Sequence, residues 1–146
     1  MTKAVMLAAV LGLLACGCSS FNMDWKAAEN MSVPPGEISG RWEGTWKSEV
    51  TKHSGNLKCI IRPAAQTGHY EALYHAKYAK ILSFTYAVEL ETKKQGEVYE
   101  FTGSADLGKV GGVYKYEGHV DRSRFLSTYT SKDDHGTFEM LKISPP

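Results

Sequence analysis

The sequence predicts an all-β domain: an antiparallel up-and-down meander of about eight strands closed into a barrel. Three observations carry this expectation. Apolar and polar residues alternate with a period of two along one segment after another between Ile38 and Ile143, as strands with one buried face require. Short turns bearing Gly, Asn or Asp separate the segments at regular spacing, which favours hairpins over crossover helices. No long helical period interrupts them. A barrel of this size either fills with side chains or holds one small ligand. A two-sheet sandwich is the alternative arrangement.

The first strand sets the pattern. Ile38, Gly40, Trp42, Gly44, Trp46, Ser48 and Val50 share one parity, whereas Ser39, Arg41, Glu43, Thr45, Lys47, Glu49 and Thr51 share the other. Glycines among inward tryptophans point to a sharply bent strand, because interior glycine marks a bend or a close backbone approach. After a turn at Lys52–Asn56, Leu57, Cys59 and Ile61 face inward, opposite Lys58, Ile60 and Arg62, until Pro63. Tyr70, Ala72, Tyr74, Ala76 and Tyr78 alternate large and small, which suits a tapering interior. Leu82, Phe84, Tyr86, Val88 and Leu90 form the next inward row, followed by a hairpin loop at Lys93–Gly96. Tyr99, Phe101, Gly103, Ala105 and Leu107 come next, then a glycine-rich turn at Gly108–Gly112. Tyr114, Tyr116, Gly118 and Val120 precede the short strand of Phe125, Ser127 and Tyr129. After the Lys132–Gly136 loop, Thr137–Ile143 is the last strand, with Phe138 and Met140 inward.

Upstream lies a different kind of segment. Lys3 precedes an apolar run, Ala4 to Ala15, of about a dozen residues, too short to span a bilayer comfortably. Charge, apolar core and small residues in this order read as a secretory signal peptide. The run ends in Leu13-Leu14-Ala15-Cys16-Gly17-Cys18, which resembles the lipobox of bacterial lipoproteins. That resemblance implies cleavage before a cysteine and attachment of acyl chains, palmitate among them, at Cys16 or alternatively Cys18. It also implies a lipid-anchored location in the cell envelope; no aspartate follows either cysteine, which in Gram-negative organisms implies the outer membrane. The domain organisation is then a signal peptide (1–15), a lipid attachment site with a flexible tether (16–37) and a β-barrel domain (38–144). Within the tether, Asp24–Met31 has the composition of a brief helical turn capped by Asp24. Pro34-Pro35-Gly36 then delivers the chain in extended form.

The triplet Gly40-Arg41-Trp42 in a first strand, followed by a meander, resembles the calycin group of lipocalins, fatty-acid-binding proteins and avidins. The resemblance implies a structural role for Trp42, with a cation near the end of the barrel packed over its ring. Lys142 occupies that place where the family usually has arginine. The ending at Ser144-Pro145-Pro146, without the helix that lipocalins often carry, is closer to avidins.

All eight tyrosines fall on inward rows. Trp46, Tyr70, Tyr74, Tyr86, Tyr99, Tyr114 and Tyr116 are the candidate ligand-binding residues: aromatic walls whose hydroxyls reach a bound molecule. The alternative is a filled core whose hydroxyls find backbone or water. The expected function is therefore a membrane-anchored envelope lipoprotein whose barrel binds a small apolar or amphipathic ligand. Its alternative is a filled-barrel interaction or inhibitor lipoprotein contacting an envelope protein or cell-wall component. Lys+Arg (17) and Asp+Glu (16) nearly balance, which argues against nucleic-acid binding. His69, His75 and His119 lie on outward rows as solvated side chains, and His69 and His75 are roughly 20 Å apart along one strand, too far to share a metal. No nucleophile elbow, phosphate loop or acid–base pair is present, so neither an enzyme nor a cofactor is expected. Cys59 reads as a small buried apolar side chain.

Overall fold

The computed structural model describes residues 20–143; the leader, Cys16 and Cys18 lie outside the described residues. Eight strands follow one another: β1 (Gly40–Ser48), β2 (Ser54–Pro63), β3 (His69–Tyr78), β4 (Leu82–Gln95), β5 (Val98–Asp106), β6 (Val113–Val120), β7 (Arg124–Thr130) and β8 (His135–Lys142). Each is antiparallel to the next, and β1 also pairs with β8, so the sheet closes into an up-and-down barrel in sequence order. The chain enters and leaves at one end. There β2–β3, β4–β5 and β6–β7 turn; β1–β2, β3–β4, β5–β6 and β7–β8 turn at the other end, the mouth. The glycine-rich β5–β6 connection contains a single helical turn, α2 (Gly108–Gly111), flanked by positive φ at Gly108 and Gly112.

Register makes the core. Trp42, Cys59, Tyr74 and Tyr86 are directly opposite one another on successive strands, so one inward layer crosses half the barrel. Trp42, Leu57, Cys59, Tyr74, Val88, Leu90 and Phe125 are essentially inaccessible to water. Burial pushes the Cys59 thiol well above its ordinary pKa and keeps it neutral.

The entry end is sealed by the residues before β1. Ile38 is buried and its carbonyl accepts the Trp42 indole N–H at 3.0 Å. The Lys142 ammonium lies 5.6 Å from the Trp42 ring centroid and donates to the Glu37 carbonyl at 2.7 Å; burial lowers its pKa. The Glu37 carboxylate accepts the Tyr70 hydroxyl at 2.8 Å and the Tyr99 hydroxyl at 3.5 Å.

A helix, α1 (residues 20–27), continues into a 3-10 turn at Ala28–Asn30. It starts and ends earlier than the Asp24–Met31 turn expected from composition. Phe21 and Ala28 are buried against Ile60, the apolar residue on the outer face of β2, with Trp25, Met31 and Leu73 packed around them. Trp25 lies between the Arg41 guanidinium (5.2 Å) and the Lys58 ammonium (4.8 Å), a cation–π arrangement that fastens the helix to β1 and β2. Both apolar clusters draw on residues between Phe21 and Met140, so a chain from Ser19 onward holds the whole described core.

Two of the three outward histidines depart from the solvated expectation: His69 keeps 16 % of its side chain exposed and its Nδ1 meets Glu89 Oε1 at 2.6 Å, and His75 is the more deeply covered. It is buried because Phe21 stacks on it at 4.5 Å, and its Nδ1 meets Thr85 Oγ1 at 2.7 Å. Burial, aided by the Lys77 and Lys58 charges, lowers its pKa below the ordinary 6.5. The unfolded chain therefore binds this proton more readily, and stability falls as pH drops through about 6.5 toward the folded-state value. Thermal melts between neutral and mildly acidic pH should show that loss, and His75→Phe should flatten it.

Candidate functional site at the barrel mouth

The strands are not equally long, and the inequality shapes the mouth. β4 has fourteen residues and β5 nine. Their ladder runs only from Glu89↔Ser104 to Gln95↔Val98, so among the described residues the first half of β4, 82–88, has no β5 partner. That half remains paired with β3 through Tyr78↔Leu82. The β3–β4 hairpin thus extends past the β4–β5 ladder, leaving a notch in the pairing beside it.

Below the mouth the interior is a stack of rings. Tyr74 lies 5.5 Å from Tyr86, 6.1 Å from Tyr116 and 5.3 Å from Phe138, centroid to centroid. These rings form a floor. Trp46, Ala76, Tyr86, Ala105 and Tyr114, all half-buried, pack on the core from above and form the walls. Trp46 stacks on Tyr78 at 6.0 Å and donates its indole N–H to the Lys77 carbonyl at 2.9 Å. Gly55 faces Trp46 across the β1–β2 ladder; a Cβ there would overlap the Lys77 carbonyl and sit 2.7 Å from the indole nitrogen. Glycine is what lets this indole reach its acceptor. On the opposite side, Asp134 accepts Ser48 Oγ at 2.6 Å and the Tyr129 hydroxyl at 3.1 Å. This latch ties the β7–β8 turn to β1.

The hydroxyls of the mid-barrel tyrosines are unevenly satisfied. The Tyr86 and Tyr116 hydroxyls are near enough to influence one another's ionisation. The Tyr74 hydroxyl is fully buried and has no hydrogen-bond partner among the described residues. Burial raises all three phenols, Tyr116 to about 12, so they remain neutral donors and acceptors. They suit a hydroxyl, carbonyl or carboxyl group of a bound molecule.

Of the residues singled out in the sequence, Trp46, Tyr74, Tyr86, Tyr114 and Tyr116 converge at the mouth. Tyr70 and Tyr99 lie at the entry end, held by Glu37, and Trp42 and Lys142 lie beside them. Parity places a side chain inside but does not say at which end. A concavity of about 310 Å³ lies outside the barrel at the entry end, lined by Pro34, Glu37, Arg41, Arg122 and Lys142 among others; the carbonyl of Glu37 already engages Lys142. Among the described residues no cluster of three or more His, Cys, Asp or Glu is placed to hold a metal ion, and no helix is long and apolar enough to cross a membrane.

Compared with protein-family models, curated proteins and solved structures, the chain matches none. Fold and site rest on its own residues.

Proposed function

We propose that this chain is a lipid-anchored protein of the bacterial cell envelope whose barrel holds a small amphipathic molecule at its mouth. The apolar part of the ligand lies against Trp46, Tyr86 and Tyr114, and its polar atom meets the Tyr74 hydroxyl. The carrying observation is that hydroxyl, buried and unpartnered among the mid-barrel rings, with the half-buried Trp46, Tyr86 and Tyr114 packed against them. A buried polar group without a partner costs about 1–3 kcal/mol, and a ligand oxygen removes that cost. The Cys16 lipobox supports the anchor, with Cys18 as the alternative site. The meander barrel and the cation over Trp42 are consistent with a calycin-like relationship. The chemistry is binding without catalysis.

Tyr74→Phe separates ligand binding from a merely structural role. In the empty protein it should leave stability unchanged or raise it by up to about 1–3 kcal/mol, because the orphaned hydroxyl disappears. In protein extracted from its own envelope it should reduce the amount of co-extracted amphiphile seen by native mass spectrometry. An extract with no bound small molecule, with or without the hydroxyl, would sink the reading. It would favour the filled-barrel interaction protein, for which the mid-barrel ring packing speaks.

A further inference from the structure

The exposed apolar side chains are concentrated at the mouth. Ile81 at the β3–β4 tip is 87 % exposed, Leu82 46 % and Phe84 50 %. Val50 in the β1–β2 turn, and Leu107 and Val113 flanking α2, are also exposed at this end. The other large exposed apolar residues among those described, Met23 and Leu141, stand apart on α1 and on the outer face of β8. Scattered apolar residues need no explanation, but a rim of them does. Ile81, Leu82 and Phe84 also sit on the hairpin that extends past the β4–β5 ladder, so a surface approaching the mouth meets them there.

The place where the described chain begins bears on what that surface is. Phe21 docks on His75 of β3, the strand that leads into the β3–β4 hairpin. From His75 to the turn at Ala79, the strand climbs about 13 Å. Cys16 is four positions upstream of Ser20, and four residues reach at most about 14 Å. Acyl chains on Cys16 thus come within reach of the level of Ile81, whereas Tyr70 at the entry end lies about 17 Å from His75 along the same strand, beyond that reach. Lys80 at the hairpin tip and Lys109 in α2 are placed to meet lipid phosphates.

We propose that the barrel mouth faces a phospholipid bilayer, with Ile81, Leu82 and Phe84 inserted among the headgroups beside the anchor. This rests on the lipid-anchored reading given above and deepens it. The notch beside β4 and the half-buried rings behind it then face the membrane, and the ligand class is a membrane amphiphile that enters without crossing water.

The test uses a chain starting at Ser19, which retains the described core but carries no acylation site, mixed with vesicles of phosphatidylethanolamine and phosphatidylglycerol. It should co-sediment with the vesicles at millimolar lipid. Replacing Ile81, Leu82 and Phe84 together by serine should lower the partition coefficient about tenfold or more. Replacing Met23 and Leu141 by serine should leave it within about twofold. Melting curves identify any variant that fails to fold, and single Ile81→Ser, at the fully exposed tip, gives the same direction of change without touching the mouth walls. Wild-type protein that stays in the supernatant, or equal losses in the two multiple variants, overturns the proposal. So does a stable dimer that ignores vesicles, which would assign the rim to a second copy of the chain. Because this chain has no anchor, its result is independent of acylation at Cys16, which intact-mass measurement of the membrane-extracted protein reports separately.

Discussion

Trp42→Ala should destabilise the barrel by about 3–5 kcal/mol, the loss typical of a large aromatic removed from a core. The indole is fully buried, packs 6.1 Å from Phe125 and donates to the Ile38 carbonyl. Alanine leaves a cavity at the entry end and a buried carbonyl without its donor. It also strips the ring from beneath Lys142 and so loosens the Glu37 seal. Against a usual domain stability of about 5–15 kcal/mol, that is a severe loss. Trp42→Phe retains most of the volume and should cost less. Glu43→Ala, on the exposed face, should fall within about 0.5 kcal/mol. Denaturant titration of the three variants decides; equal effects of Trp42→Ala and Glu43→Ala would mean that the tryptophan does not hold this end together.

The second large effect is expected from adding a single methyl group. Gly44 pairs with Met140 across the seam where the barrel closes. A Cβ on Gly44 would overlap the Glu139 carbonyl oxygen and lie 2.7 Å from the Met140 Cα. Both are backbone atoms, so no rotamer change relieves the clash, and β1 must move away from β8. Gly44→Ala should reach or exceed the upper end of the ~1–3 kcal/mol range for overpacking. Gly96→Ala separates the effect of space from that of conformation. Gly96 has φ +64° but nothing within 4 Å of a Cβ, so alanine there should cost only about 1 kcal/mol of backbone strain. A smaller loss at Gly44 than at Gly96 would show that the seam can open at little cost.

The strands were legible because a period of two recurs in each segment between Trp42 and Met140, and within a segment parity separates most inward from most outward residues. Ends and levels were harder to read. Leu82 and Phe84 have inward parity, yet half of each is exposed, because exposure depends on where β5 stops beside them. Tyr70 and Tyr99 share the parity of Tyr74 and Tyr116 but face Glu37, whose carboxylate nothing in the local pattern marks as a seal. The docked helix did leave a trace. Phe21, Trp25 and Ala28 recur at the spacing of one helical face, and Ile60 and Leu73 are apolar residues on a polar parity, which is the imprint of a partner on the outside. Burial of His75 follows from that same partner, so a reading confined to the strand had no reason to expect it.

The β1–β8 seam has a consequence for how the chain reaches its fold. Every other ladder joins strands adjacent in sequence, and such hairpins form locally at little entropic cost. The seam pairs Trp42 with Lys142 and must close a loop of about a hundred residues before any of its hydrogen bonds stabilise it. Until β8 arrives, one edge of β1 stands open, with Trp46 on a strand able to template a neighbouring chain. Lys47 and Glu49 at the end of that edge, and α1 lying across its face, are the features that guard the nascent barrel against pairing with the wrong partner.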